Sequence, residues 1–253
     1  MTLPKLGDII LLMLTLRKKI ILWLKKQLRQ TEAKGIVLGL SGGVDSAVVA
    51  ALAKESVGKK RVLALILPIH SHPQDAQDAM IVARKLGITT KTINLSGVYN
   101  DLLKILPKAS SLALANLKPR LRMMTLYYFA NHLNYLVCGT GNKSEGMVGY
   151  FTKYGDGAVD ILPIGGLLKK EVRGLAKELD IPERIIAKSP TAGLWAGQTD
   201  EGEMGITYCE LDDILERLEK KEKQVFSQHK VRKIKEMIVK SQHKRQGPKI
   251  YYI

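Results

Sequence analysis

Apolar residues come along this chain in two rhythms. Ile36-Val37-Leu38, the stretch from Arg61 to Leu67 and Tyr135-Leu136-Val137-Cys138 are short continuous runs, and Thr89 to Leu95 is a fourth of mixed character. Such runs, bounded by turn residues, predict buried strands. Between them the spacing becomes helical: Ala47 to Ala53, Pro73 to Leu86 closed by Gly87, Val98 to Leu106 stopped by Pro107, and Leu121, Met124 and Tyr128 after Pro119. Continuous apolar strands alternating with helices predict an α/β fold, an open and mostly parallel sheet with helices on both faces. Ligands of such sheets bind beyond the carboxyl ends of the strands. The turns after Leu40, Leu67 and Cys138 are therefore expected to meet in space.

Towards the ends the pattern changes. Ile9 to Leu16 is apolar, and Ile20, Ile21, Trp23, Leu24 and Leu28 continue amphipathically among lysines. The apolar run is far short of the roughly 20 residues a bilayer demands, and no small-residue cleavage site follows it. One or two packing helices are expected there, with no membrane attachment. Gly141 to Gly166 and Lys188 to Gly205 read as loops, Leu167 to Leu179 as a helix, and Leu211 to Lys240 as two helices rich in charge. Without repeats or a low-complexity linker, residues 1–253 are expected to form one domain. Its appendages are an N-terminal helical segment over 1–30 and C-terminal helices over 211–246.

The turn after the first run carries the chemistry. Gly39-Leu40-Ser41-Gly42-Gly43-Val44-Asp45-Ser46 lies between a predicted strand and a predicted helix. The glycines permit positive φ and close approach of a ligand to the backbone. The helix start offers N–H groups that attract anions, phosphate above all. Asp45 alone would repel phosphate, so it points to an intervening divalent cation, magnesium being the natural choice. The turn is not a GxxxxGK[ST] loop, because no lysine ends it. Three further groups stand out: Arg120 and Arg122 at a helix start, Gly139 to Glu145 after the fourth strand, and Gly149 to Gly157 with its interleaved aromatics and lysine. Glu145 is placed to give magnesium a second carboxylate.

Composition narrows this picture modestly. The net charge of +16 suits a nucleic-acid partner, a highly phosphorylated small ligand or merely a soluble basic surface. The two cysteines, Cys138 and Cys209, form no CxxC pair. Neither a zinc ribbon nor a dithiol is supported, and a reducing cytoplasm fits.

Ser-Gly-Gly-Val-Asp-Ser at residues 41–46 resembles the pyrophosphate loop of the ATP pyrophosphatases. The later order resembles the NAD synthetases over roughly residues 20–246: Asn116, Arg120 and Arg122, then Gly139 to Glu145, Gly149 to Gly157, Leu162-Pro163-Ile164, Lys169, Lys188 to Ala192 and Asp200-Glu201. That resemblance implies an adenine nucleotide alpha hydrolase-like fold. It also implies a ligase reaction, in which ATP adenylates the nicotinate carboxylate of deamido-NAD and ammonia displaces AMP to give NAD. Gly39 to Ser46 would then cradle the ATP phosphates, with Asp45 and Glu145 on magnesium. Thr140, Lys169 and Thr191 match positions that contact ATP, and Asp45 and Lys169 would carry the catalytic charges. Arg120, Lys153, Asp160, His243 and Lys244 match positions that contact deamido-NAD. The resemblance further implies a homodimer. Gly193 and Gly141 depart from the family's usual acids. Because the stretch before Gly35 holds no cysteine, ammonia is expected as the nitrogen source, with a separate glutaminase as a possible supplier. Two rivals share some of these features. A tRNA-modifying ATP pyrophosphatase would share the loop and basic C-terminus, and a non-catalytic nucleic-acid-binding protein would share only the charge; no stable nucleic-acid partner is expected.

Overall fold

The computed structural model describes residues 15–195 and 197–251. The expected helix around Ile9 lies outside them. The first element, α1 (Leu16–Thr31), turns Ile20, Leu24 and Leu28 inward at four-residue spacing, and Thr15 caps its start by accepting from the Lys18 N–H. Strand β1 (Gly35–Gly39) follows, then α2 (Val44–Val57), β2 (Val62–Ile66), α3 (Pro73–Leu86) and β3 (Thr89–Thr92). Next come α4 (Ser96–Ile105), α5 (Ser111–Ala115), α6 (Leu117–Leu133) and β4 (Tyr135–Val137).

These strands form one parallel sheet in the order β3-β2-β1-β4. Ile36 pairs with Val62 and Leu136, so β1 is held on both sides. Cys138 adds a parallel bridge to Ile161 just past β4. Alternation of side chains sends Ile36, Leu38, Val62, Ala64 and Ile66 to one face and Val37, Leu63 and Leu65 to the other. The first face packs on α1, α2 and α3, the second on α4 and α6. Each fully buried Ile or Leu of the central strand is worth about 1.5–3 kcal/mol.

Beyond the sheet lie α7 (Lys143–Val148), α8 (Lys169–Glu178), α9 (Glu183–Ile186), α10 (Asp200–Met204), α11 (Tyr208–Glu219) and α12 (Gln228–Lys240). Two of these correct the sequence reading. The stretch from Gly141 to Gly166 is not all loop, because α7 forms inside it. Likewise α10 interrupts the expected loop between Lys188 and Gly205. A capping box explains the first: the Asn142 side chain accepts from the Glu145 N–H while the Glu145 carboxylate accepts from the Asn142 N–H. The C-terminal helices build a third apolar cluster from Met204, Tyr208, Leu211, Ile214, Leu215 and Ile234, against Val148 and Leu168. Thus the helical part is packed onto the end of α7 and the head of α8. Among the described residues, no helix is long and apolar enough to cross a membrane.

Candidate active site

At the carboxyl end of β1 the chain extends the sheet by one bond, Leu40 N to Leu65 O at 2.8 Å, and then turns. Gly42 takes φ +83°, and a Cβ there would stand 2.4 Å from the Asp75 carbonyl oxygen of α3. Only glycine fits both the dihedral and the approach. The serines lock the turn. The Ser46 hydroxyl donates to the Gly43 carbonyl at 2.9 Å and accepts from the Ser41 N–H at 3.2 Å. The Ser41 hydroxyl accepts from the Gly43 N–H at 3.2 Å and lies 3.1 Å from Ser46 Oγ. Gly43 heads α2 with no side-chain cap on the helix start. The loop's form is thus fixed from within, and the helix head keeps its attraction for an anion.

Asp45, in the first turn of α2, reaches across to two other elements. Its Oδ2 lies 2.5 Å from Lys169 Nζ at the head of α8, and its Oδ1 accepts from Asn142 Nδ2 at 2.9 Å. Glu145 Oε1, from α7, lies 3.1 Å from the same Lys169 Nζ. The two acids chosen from sequence therefore converge on one ammonium nitrogen, whose side chain is only 2% exposed. Tyr208 closes the far side. Its ring lies 4.7 Å from Lys169 Nζ, and its hydroxyl lies 3.0 Å from both Glu145 Oε1 and Asp200 Oδ2. Asp200 Oδ1 is buried without a partner.

Burial and charge compete across this cluster. Burial pulls the Lys169 ammonium down, but the Asp45 and Glu145 carboxylates more than offset it and hold the group charged. Burial pushes the Glu145 carboxyl up to about 7, with Lys169 opposing and Asp45 and Asp200 adding to the rise. The Tyr208 phenol is driven well above its ordinary range by burial and by Glu145 and Asp200. Three carboxyl groups, Asp45, Glu145 and Asp200, crowd around one lysine, and a further cation would relieve their mutual repulsion.

The remaining sequence-selected residues divide into two sets. Thr191 belongs to the irregular segment before α10, where its hydroxyl donates to Gln198 O at 2.8 Å and accepts from Gly193 N. Lys188, which opens that segment, is clamped to α3 by Asp75 at 2.7 Å and Asp78 at 2.9 Å. Thr140 stands half-buried just past β4. The expected dinucleotide residues form a chain of their own: Arg120 donates to Lys153 O at 3.4 Å, and Lys153 Nζ donates to His243 O at 2.5 Å. Lys244 donates to Gly149 O at 2.7 Å and Phe151 O at 2.9 Å. Asp160 is tied elsewhere, accepting from Val137 N at 2.7 Å and from the Tyr127 hydroxyl at 3.0 Å.

Sequence reasoning missed Tyr208, Ser144 and Asp212 as part of the site. Their signal was polarity on a buried helical face: Tyr208 and Asp212 are four residues apart in α11 among Leu211, Ile214 and Leu215.

A parallel sheet, a glycine–serine turn feeding a helix head, and a carboxylate–lysine cluster at the strand ends together make an α/β protein with an anion-attracting site at the carboxyl edge of its sheet. A family model described as NAD synthase matches residues 16–248, and the chain belongs to that family. It is 49% identical over 238 residues to the NH(3)-dependent NAD(+) synthetase of Carboxydothermus hydrogenoformans, covering 92% of this chain and 95% of the relative. With the enzyme of the same name from Archaeoglobus fulgidus it shares 53% over 218 residues, covering 85% and 87%. Among solved structures, an NMN synthetase from Francisella tularensis superposes with a TM-score of 0.88 at 42% identity, over 94% of this chain and 98% of that one. The expectation of a NAD synthetase drawn from the motifs is borne out over the tRNA-modifying alternative.

Proposed function

We propose that this protein makes NAD by amidating deamido-NAD with ammonia at the expense of ATP. The observation that carries the proposal is Lys169, clamped between Asp45 and Glu145 beside the Ser41–Ser46 turn, in a chain of the NAD synthase family. In the first step an oxygen of the nicotinate carboxylate attacks the α-phosphate of ATP, and pyrophosphate leaves. Backbone N–H groups of the turn and the α2 head take up the phosphate charge, and the fixed ammonium of Lys169 stabilises what develops on the departing pyrophosphate. Ammonia then attacks the acyl carbon, AMP departs, and the nitrogen sheds one proton. No side-chain nucleophile is needed, because AMP is a far better leaving group than hydroxide.

Asp45 and Glu145 suit magnesium. Both are hard oxygen donors, one on each side of Lys169, and magnesium takes one or two carboxylates plus substrate phosphates rather than an all-protein cage. When bound there it would neutralise charge on the phosphates. Arg120, Lys153, His243 and Lys244 are assigned to the dinucleotide; their linked arrangement around the Gly149–Gly157 segment supports that reading.

A homodimer is part of the proposal. Helix α6 leaves Met124 63% and Tyr128 66% exposed, one helical turn apart on its outer side, and exposed apolar surface of this kind suits contact with a second copy. Free Cys138 and Cys209 suit the reducing cytoplasm assigned here.

The test supplies pure protein with ATP, magnesium and deamido-NAD, adding ammonium or glutamine. Equimolar NAD, AMP and pyrophosphate with ammonium are expected. ADP as the product, or equal turnover with glutamine alone, would refute the proposal. The likeness to the Francisella tularensis NMN synthetase favours a second reading in which the acid is nicotinic acid mononucleotide. Running both acids side by side decides it by the ratio of kcat/KM.

A further inference from the structure

The head of α8, where Lys169 sits, is held by side chains from two other helices. The Lys169 N–H donates to Ser144 Oγ of α7 at 2.9 Å, and the Lys170 N–H donates to Asp212 Oδ2 of α11 at 2.8 Å. The Ser144 hydroxyl in turn donates to Asp212 Oδ1. Ser144 is fully buried and Asp212 is 1% exposed. Ser144 immediately precedes Glu145 in α7. A single carboxylate therefore ties together the two helix heads that supply Lys169 and Glu145. Four residues earlier on the same face of α11, the Tyr208 hydroxyl meets Glu145 Oε1 at 3.0 Å. An ordinary helix cap needs one oxygen on one helix. Here the second oxygen goes to another helix, next to the other half of the cluster.

We propose that Asp212, acting through Ser144, is a positioning residue that sets the spacing between Lys169 and Glu145, with α11 serving as the template for both. The physical reason is tolerance. A charge that must meet a departing pyrophosphate has to be held within about 0.5 Å, and that precision comes from the groups behind it. Nothing in α8 alone sets the 3.1 Å between Lys169 Nζ and Glu145 Oε1. The inference rests on Lys169 stabilising the phosphates, as proposed above.

The test measures kcat, KM for each substrate and the melting midpoint for Asp212→Asn, Ser144→Ala, their double variant, Leu215→Ala and Lys169→Met. Leu215 is a buried residue of α11 that belongs to its apolar cluster, so its truncation controls for simple loss of stability. In folded Asp212→Asn and in folded Ser144→Ala, kcat is expected to fall at least about tenfold, with KM for deamido-NAD within about threefold. The double variant is expected to be no worse than the worse single one, as for residues acting through one network. Leu215→Ala is expected to lower the melting midpoint while leaving kcat within about twofold. If Asp212→Asn does not fold, Ser144→Ala against Leu215→Ala decides. A normal kcat in folded Ser144→Ala, losses that multiply in the double variant, or an equal kcat loss in Leu215→Ala would overturn the positioning role. An inactive Lys169→Met alongside a normal Ser144→Ala sinks this inference alone. A fully active Lys169→Met sinks the reading of Lys169 as well.

Discussion

Lys169 and Asp78 are both buried among opposite charges, yet removing them should have different consequences. Lys169→Met takes away a fixed charge aimed at the phosphates, so kcat should fall about 100- to 1,000-fold. The melting midpoint should fall as well, because Asp45 and Glu145 lose their shared counter-ion, so rates are compared at a temperature where the variant is folded. Steady-state rates beside a thermal melt would check this. Asp78 instead joins α3 to the segment that opens with Lys188. It accepts from Lys188 at 2.9 Å, from Arg184 at 2.5 Å and from Gln74 at 3.0 Å. Burial alone would raise its carboxyl, but these donors outweigh burial and hold it below the ordinary 3.8. A depressed folded-state value means stability present above the unfolded value and lost as the pH falls through the folded one. Asp78→Asn should therefore cost about 1–3 kcal/mol at pH 7 and flatten the acid side of a melting-midpoint profile. An unchanged acid limb would dismiss the role.

At the scale of elements, the β1–turn–α2 unit shows how far local sequence reaches. Its strand is a continuous apolar run, its turn needs glycine and its helix is alanine-rich, so every preference is local and all agree. Gly42→Ala tests the unit: left-handed strain plus a Cβ 2.4 Å from Asp75 O should cost about 1–3 kcal/mol and raise KM for ATP. A variant with parental melting and KM would show that the turn relaxes freely. Helix α7 was harder to read, because it is short, holds Gly146 and lies among glycines. Its one local cue was Asn142 three residues before Glu145. The role of α11 was not legible in the same way. Periodicity places Tyr208 and Asp212 on one face, but only tertiary packing reveals that this face meets the heads of α7 and α8. Strand β3 ends at Thr92 rather than Leu95, although Ile93 N and Leu95 N still bond to Ile66 O and Pro68 O, so the earlier reading of that run had a physical basis. Of the site, Asp45, Glu145 and Lys169 were each legible through motif resemblance. The sheet pattern already led Asp45 and Glu145 to be expected at one place; the placing of the Lys169 ammonium between them was not legible, since it comes from a third helix far along the chain.

For the whole molecule, the net charge of +16 gains a use if ATP and a dinucleotide, both polyanions, are held together. The uncovered face of α6 makes a prediction of its own. Replacing Met124 or Tyr128 by glutamate should shift sedimentation from dimer to monomer without altering helical content, whereas an unchanged sedimentation profile would move the contact elsewhere. Finally, the short turn of helix after α12 matters beyond its size. Lys244 holds the carbonyls of Gly149 and Phe151, and Arg245 holds those of Gly146 and Met147. A chain cut back to Ser241 would keep every described strand and α-helix yet lose this tether. Trimming by a carboxypeptidase should therefore yield protein that still melts cooperatively while its grip on the dinucleotide slackens.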